Sequence, residues 1–229
     1  HDWQVDYHGA TREVLFRDGF GNLTELVRSE RNAHDVTITV GGTVETFDNA
    51  GVVGEDHGPT PLWTWLRQTP LTRPGPSMLA LSQELDVGAA RLELLHALLD
   101  KVHEKIRFVV GATDVTTNAE AALNAGEGVC QDHAHVFAGV CRQLGIPARY
   151  VSGYLLLEGT TDQAASHAWA DAFVDGIGWV GFDAANGVSR DGRYVRLATG
   201  LDYRDAAPVS GIRHGFGTES LAVNINVEQ

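Results

Sequence analysis

Residues 126–147, "GEGVCQDHAHVFAGVCRQLGIP", constrain the fold more than any other stretch. Ala134, Phe137, Ala138, Cys141 and Leu144 fall at +4, +7, +8, +11 and +14 from Cys130, which is a single stripe on an α-helix. Gly145 and Pro147 supply the stop, and Gly126 and Gly128 let the chain turn sharply just before the start. Any fold must therefore bury one side of a helix that begins at Cys130. It must then pass straight into the strand-like run "ARYVSGYLLLE".

That helix separates the roles of the two cysteines. Cys130 and Cys141 are 11 residues apart, which is roughly 16 Å along a helix axis. A disulfide needs Cα atoms closer than about 7 Å, so an internal bridge is excluded. Cys141 lies mid-stripe and reads as a buried core thiol. Cys130 lies in the first turn, where unpaired N–H groups and the positive end of the helix dipole favour a thiolate. On this feature alone, inert packing and nucleophilic chemistry are both open.

A nucleophilic cysteine needs a histidine, and the histidine needs an orienting group. In "SHAWADAFVDGIGWVGFDAANG", His167, Trp169, Asp171 and Phe173 alternate with Ala168, Ala170, Ala172 and Val174. A three-residue loop, Asp175–Gly176–Ile177, would set Val174 opposite Gly178 and Trp169 opposite Asp183. His167 then lies diagonal to Asp183 on one face, within reach of an imidazole and a carboxylate. A two-residue turn would put them on opposite faces. The pairing of His167 with Asp183 is therefore a commitment to an odd loop.

Residues 1–56 read as antiparallel β-structure, with strands in "REVLFRD" and "DVTITVGGTVETF" and a turn at "DGFGN". Val36, Ile38 and Val40 alternate onto one face. Residues 57–77 hold Pro59, Pro61, Pro70, Pro74 and Pro76 and read as a crossover, pinned to a core by Trp63, Trp65 and Leu66. Residues 78–107 and 117–145 are expected to be helical. From Ala148 on, strands and turns return: "SHAWADAFV", "GWVGFD", "RYVRLATG" and "SLAVNINVE", with "RDGRY" as a turn. The order β, helices, β predicts an α+β protein. Its expected division is a β-rich region with crossover over 1–77 and a catalytic domain over 78–229.

Composition narrows the function classes. The formal charge of −13 argues against phosphate-backbone binding. No apolar run reaches the ~20 residues of a membrane helix. Two cysteines are too few for a disulfide framework, so a reducing cytoplasm is the expected compartment. The chain starts at His1 with Met78 as its one methionine, so a preceding segment is expected. Asp132, His133 and His135 suggest a metal cluster, but His133 points away from the other two and no fourth ligand is spaced nearby. No metal and no cofactor are expected.

The blocks "GEGVCQDHAHVFAGVCRQLGIPARYVSGY", "SHAWADAFVDGIGWVGFDAANG" and "LATGLDYRDAAPVSGI" together resemble the bacterial transglutaminase-like cysteine hydrolases. The resemblance covers the C-terminal half nearly end to end, and residues 1–85 are similar to the β-rich region that accompanies that domain. It implies a papain- or transglutaminase-like core, with helices packed on an antiparallel sheet or barrel behind a β-rich N-terminal domain. It implies Cys130 as nucleophile, His167 as base and acid, and Asp183 as orienter. It also implies that an N-terminal strand is absent here. Gln131 is a candidate oxyanion donor, and Trp169 and Trp179 are candidate cleft walls. "DYRDAAP" is a further candidate border of the cleft. The expected activity is hydrolysis of a peptide or protein amide through a thioester. Amine transfer to protein glutamine and a catalytically silent peptide-binding module are the alternatives.

Overall fold

The computed structural model describes residues 2–55, 58–157, 162–163, 166–211 and 222–227. Its strands and helices, in chain order, are β1 (Asp2–His8), β2 (Ala10–Arg17), β3 (Leu23–Ser29), β4 (Thr37–Thr43), β5 (Val52–Gly54), α1 (Pro76–Gln83), α2 (Arg91–Lys105) and β6 (Arg107–Phe108). There follow α3 (Ala119–Ala125), β7 (Glu127–Gly128), α4 (Cys130–Gln143), β8 (Ala148–Leu155), β9 (Asp162–Gln163), β10 (His167–Val174), β11 (Gly178–Asp183) and β12 (Val188–Ser189). The chain closes with β13 (Tyr194–Gly200), α5 (Tyr203–Ala206) and β14 (Ile225–Asn226). The protein is α+β, as its element order predicts.

The centre is an antiparallel sheet in the order β12-β11-β10-β8-β13, with β5 paired to β11. Period-two alternation gives this sheet two different faces. Ala148, Ala170, Ala172, Val174, Val180 and Phe182 point to one side and join the buried cluster of α1, α2, α3 and α4. The alanines of β10 keep that side thin, so α4 lies close and Phe137 stacks on Phe182 at 5.1 Å between ring centroids. Removing such apolar surface from water supplies the main folding drive, at about 25 cal/mol per Å². The opposite face carries Arg149, His167, Trp169, Asp171, Trp179, Asp183 and Tyr194, and this is where the chemistry-bearing groups collect.

The loop between β10 and β11 has the three residues that the sequence requires. Val174 faces Gly178 and Ala170 faces Phe182, so the ladder continues to Trp169 and Asp183 in the expected register. Gly176 closes the loop at φ +78°, where a side chain is strained.

The N-terminal strands form two antiparallel ribbons, β1 with β4 and β2 with β3. Ala10 is their buried hydrophobic residue among the described residues, whereas Val14, Phe16, Leu26, Ile38 and Val40 are exposed. The alternation of Ile38 and Val40 correctly marks a strand, but their face is not covered. The "DGFGN" turn does more than reverse the chain. Asp18 gathers the N–H groups of Phe20 and Asn22, and Asn22 then exchanges two hydrogen bonds of 2.8 Å with the backbone of Thr199 on β13.

The proline-rich crossover is pinned differently from expectation. Residues 62–66 form a 3-10 helix that buries Trp65 against Trp179 but turns Trp63 and Leu66 outward. Leu71 and Thr72 supply the remaining anchors. Pro76 opens α1, where its missing N–H costs nothing. Glu120 accepts hydrogen bonds from the free N–H groups of Gly75, Ser77 and Met78. The expected helix over 78–107 is broken at 84–90 into α1 and α2. Of the last expected strand, residues 220, 221 and 228 lie outside the described residues, and Ile225–Asn226 is β14.

Candidate active site

Cys130 opens α4 and is partly exposed. The turn before it is held by Asp132, whose Oδ2 accepts from the Val129 N–H at 2.8 Å and from the Thr113 hydroxyl at 2.5 Å. The backbone at Gly128 presses on this carboxylate, so that a Cβ there would lie 2.7 Å from Asp132 Oδ2. Burial pushes the Asp132 carboxyl up in pKa, against the pull of its hydrogen bonds. Cys141 is fully buried, and burial raises its thiol pKa far above the ordinary range. Both thiols are free. The sequence-based division into a core thiol and an elbow thiol matches this placement.

His167 is the first residue of β10, and its Nε2 donates to Asp183 Oδ2 at 2.7 Å. The Cys130 thiol is near enough to act on the same imidazole and raise its pKa. With Nε2 occupied by the carboxylate, Nδ1 is the nitrogen left for sulfur. Burial pulls the His167 pKa down, but the hydrogen bond to Asp183 and the nearness of Cys130 outweigh it and carry it to about 10. Asp183 is fully buried and collects further donors: Tyr194 Oη and Asn186 Nδ2 at 2.7 Å, and the backbone N–H groups of Ala185 and Asn186 at 3.1 and 3.2 Å. Burial pushes its pKa up, yet His167 and these donors hold it below the ordinary carboxylate value.

The other sequence-derived candidates separate. Gln131 is buried at the second position of α4, next to Cys130. Trp169 is buried beneath His167, stacked at 6.4 Å and 27° between ring planes. It therefore buttresses the imidazole from behind. Trp179 is not beside the triad. It lies four residues from Asp183 along β11, roughly 13 Å at strand rise, in a cluster with Trp65 and Leu201. There it packs within that cluster, with Arg149 over its ring at 4.3 Å.

The "DYRDAAP" segment does reach the site. Tyr203 of α5 packs in one cluster with Cys130, Tyr150 and Ala168, and its N–H donates to His135 Nε2 at 3.1 Å. His135 is fully buried, and burial pushes its pKa down to about 3, so it is neutral in the folded protein. His133 sets its two ring nitrogens 2.8 and 2.9 Å from the carbonyl oxygens of Val129 and Ile106. With Asp132 as a cap, the three residues of the apparent metal cluster each serve a separate local bond. No group of three or more His, Cys, Asp or Glu suited to a metal occurs among the described residues.

Two residues of the site were missed from sequence. Tyr194 lies where the turn "RDGRY" passes into the expected strand "RYVRLATG"; it begins β13 as that reading has it, but its bond to Asp183 was not foreseen. Asn186 stands three residues after Asp183, the spacing at which an aspartate side chain caps its own turn. That spacing was a usable signal.

The arrangement of thiol, imidazole and carboxylate in this order, on a helix start and two antiparallel strands, defines a class. Residues 80–184 match the family model of the transglutaminase-like superfamily. The whole chain superposes on the crystal structure of a candidate cysteine protease from Cytophaga hutchinsonii with a TM-score of 0.67, covering 100% of this chain and 81% of that one at 22% identity. The chain is 39% identical over 242 residues to an uncharacterised protein of Mycobacterium leprae, covering 98% of this chain and 84% of the relative. It is 30% identical over 158 residues to a protein-glutamine gamma-glutamyltransferase of Pseudomonas aeruginosa, covering 61% of this chain and 23% of that protein. The chain belongs to the transglutaminase-like superfamily. No helix among the described residues is long and apolar enough to cross a membrane.

Proposed function

We propose that this protein is a cysteine-dependent amide or peptide hydrolase that works through a thioester. The observation that carries the reading is the His167 imidazole fixed by the Asp183 carboxylate at 2.7 Å, with Cys130 at the start of α4 near enough to act on its pKa. Cys130 Sγ attacks the carbonyl carbon of a peptide or protein amide, and the carbonyl electrons move to oxygen. The oxyanion is received by the N–H of Cys130 at the positive end of α4. The tetrahedral adduct collapses as the C–N bond breaks, and the His167 imidazolium gives its Nδ1 proton to the departing amine. Neutral His167 then takes a proton from water, which attacks the thioester carbonyl and releases the acid and the thiolate. Asp183 neither gains nor loses a proton; it fixes the ring and stabilises its charge. The proposed mechanism requires no metal or cofactor.

Every residue named here would serve amine transfer as well, and the similarity to a gamma-glutamyltransferase gives that reading its support. Hydrolysis is preferred because nothing among the described residues marks a lysine-binding channel, and water is always present. The test is product analysis on a casein or glutamine-peptide substrate with and without an added primary amine, using a Cys130→Ala control. Release of acid and amine that the control lacks supports hydrolysis. Amine incorporation that outpaces release into water overturns it in favour of transfer.

A further inference from the structure

The face that carries the triad continues past His167 into a feature the triad does not use. Trp169 stacks on His167, and the Tyr194 ring lies 6.0 Å from it between centroids. Beyond these two aromatics is an open pocket of about 450 Å³, bounded also by Glu45, Phe47, Arg190 and Arg196. That is the size of a small-ligand site.

Guanidinium groups make up most of its charged lining. The buried Asp171 takes Arg149 Nε and Arg196 Nη2 at 3.0 Å each, and the charge of Arg190 also acts on it. Three guanidinium groups thus meet one buried carboxylate. The charged residues that line the pocket are two guanidinium groups, Arg190 and Arg196, and one carboxylate, Glu45. Arg190 makes no ion pair with Asp171. No carboxylate lies within 4 Å of it among the described residues, its Nη2 is 3.5 Å from the Val52 carbonyl oxygen, and its Nε is buried without a hydrogen-bond partner there. Its stem rests on Gly181, where a Cβ would come within 2.7 Å of Arg190 Cδ.

We propose that this pocket recognises a carboxylate of the substrate, with Arg190 as the principal cation and Trp169, Tyr194 and Phe47 as walls. The proposal rests on reading the adjacent triad as the reacting centre. The planar guanidinium fork of Arg190, which makes no ion pair among the described residues, suits a carboxylate. The carboxylate comes either from an acidic side chain or from a free peptide C-terminus.

The test uses the full chain carrying Cys130→Ala, titrated by calorimetry with acetyl-alanyl-phenylalanine, its C-terminal amide, and acetyl-glutamyl-phenylalanine amide. At least one acid binds about tenfold or more tightly than the neutral amide, as expected for a charge-assisted hydrogen bond. Which acid does so identifies the source of the carboxylate. Arg190→Gln abolishes the preference, and Arg190→Lys, which keeps the charge without the fork, restores part of it. In the wild-type chain the bound acid slows alkylation of Cys130 by iodoacetamide. Equal binding of acid and amide, no binding, or a preference that survives Arg190→Gln overturns the proposal. Acid binding that leaves alkylation unchanged also overturns it, because the pocket is then outside the substrate path. Failure of the triad reading shows separately, as a Cys130 no more reactive than Cys141 when no peptide is present.

Discussion

Asp183 holds Nε2 of His167 at 2.7 Å from its Oδ2 while four other donors, from Tyr194, Asn186 and Ala185, fix the same carboxylate. The carboxylate cannot rotate without breaking several bonds at once. His167 is therefore held in one orientation, with Nε2 committed to the carboxylate and Nδ1 left for proton transfer.

Replacing Asp183 by Asn turns an acceptor into a mixed group and disturbs the tautomer of His167. Hydrolysis of a test amide should fall on the order of 10⁴-fold, as in other triads with this change. Tyr194→Phe removes one donor and leaves the others. It should lower kcat about tenfold with KM nearly unchanged. A rise in KM at constant kcat would show instead that Tyr194 acts on substrate binding alone.

His167 and the buried His135 make opposite contributions to stability against pH. His167 has its pKa raised from 6.5 to about 10, so its stabilisation is complete below pH 6.5 and is lost as pH rises toward 10. His135 has its pKa lowered from 6.5 to about 3, so its stabilisation is complete above pH 6.5 and is lost as pH falls toward 3. Denaturant midpoints measured from pH 4 to 10 should show the alkaline loss reduced in His167→Ala and the acid loss reduced in His135→Gln. If both variants flatten the same limb, the assignment of charge states is wrong.

The start of α4 depends on Asp132. Asp132→Ala frees the Val129 N–H and the Thr113 hydroxyl, which should cost about 1–2 kcal/mol as a lost helix cap. Gly128→Ala forces a Cβ against the same carboxylate and should cost at least as much. Both should slow the labelling of Cys130 more than a mild loss of stability explains, because the elbow itself moves. Thermal melting alongside labelling rates at 20 °C below the melting point separates the two effects.

The parts of this site that were legible in the sequence are those set by local periodicity. A stripe from Ala134 to Leu144 implies one helix, and the odd loop at Asp175–Gly176–Ile177 puts His167 and Asp183 on one face. Tyr194 was not legible because its strand pairs with β8, nearly 40 residues earlier, and nothing local announces that pairing. Trp179 shares the face of Asp183 as alternation has it, but alternation does not give its distance along the strand. Trp63 and Leu66 turned outward because a 3-10 helix has three residues per turn and brings a single tryptophan, Trp65, to the core. The ribbon strands were recognisable from β-branched alternation, but what covers a face is a tertiary fact that alternation does not contain.

The most direct test of the triad is alkylation of the intact protein with iodoacetamide across pH, followed by mass mapping of the two thiols. Cys130 should label much faster than Cys141, because it stands partly exposed at the start of α4. Cys141 should stay unlabelled in its buried site, and His167→Ala should slow Cys130 most at low pH. Equal, sluggish labelling of both cysteines, or labelling of Cys130 that is indifferent to His167, would contradict the account and shift the weight to a peptide-binding role without turnover.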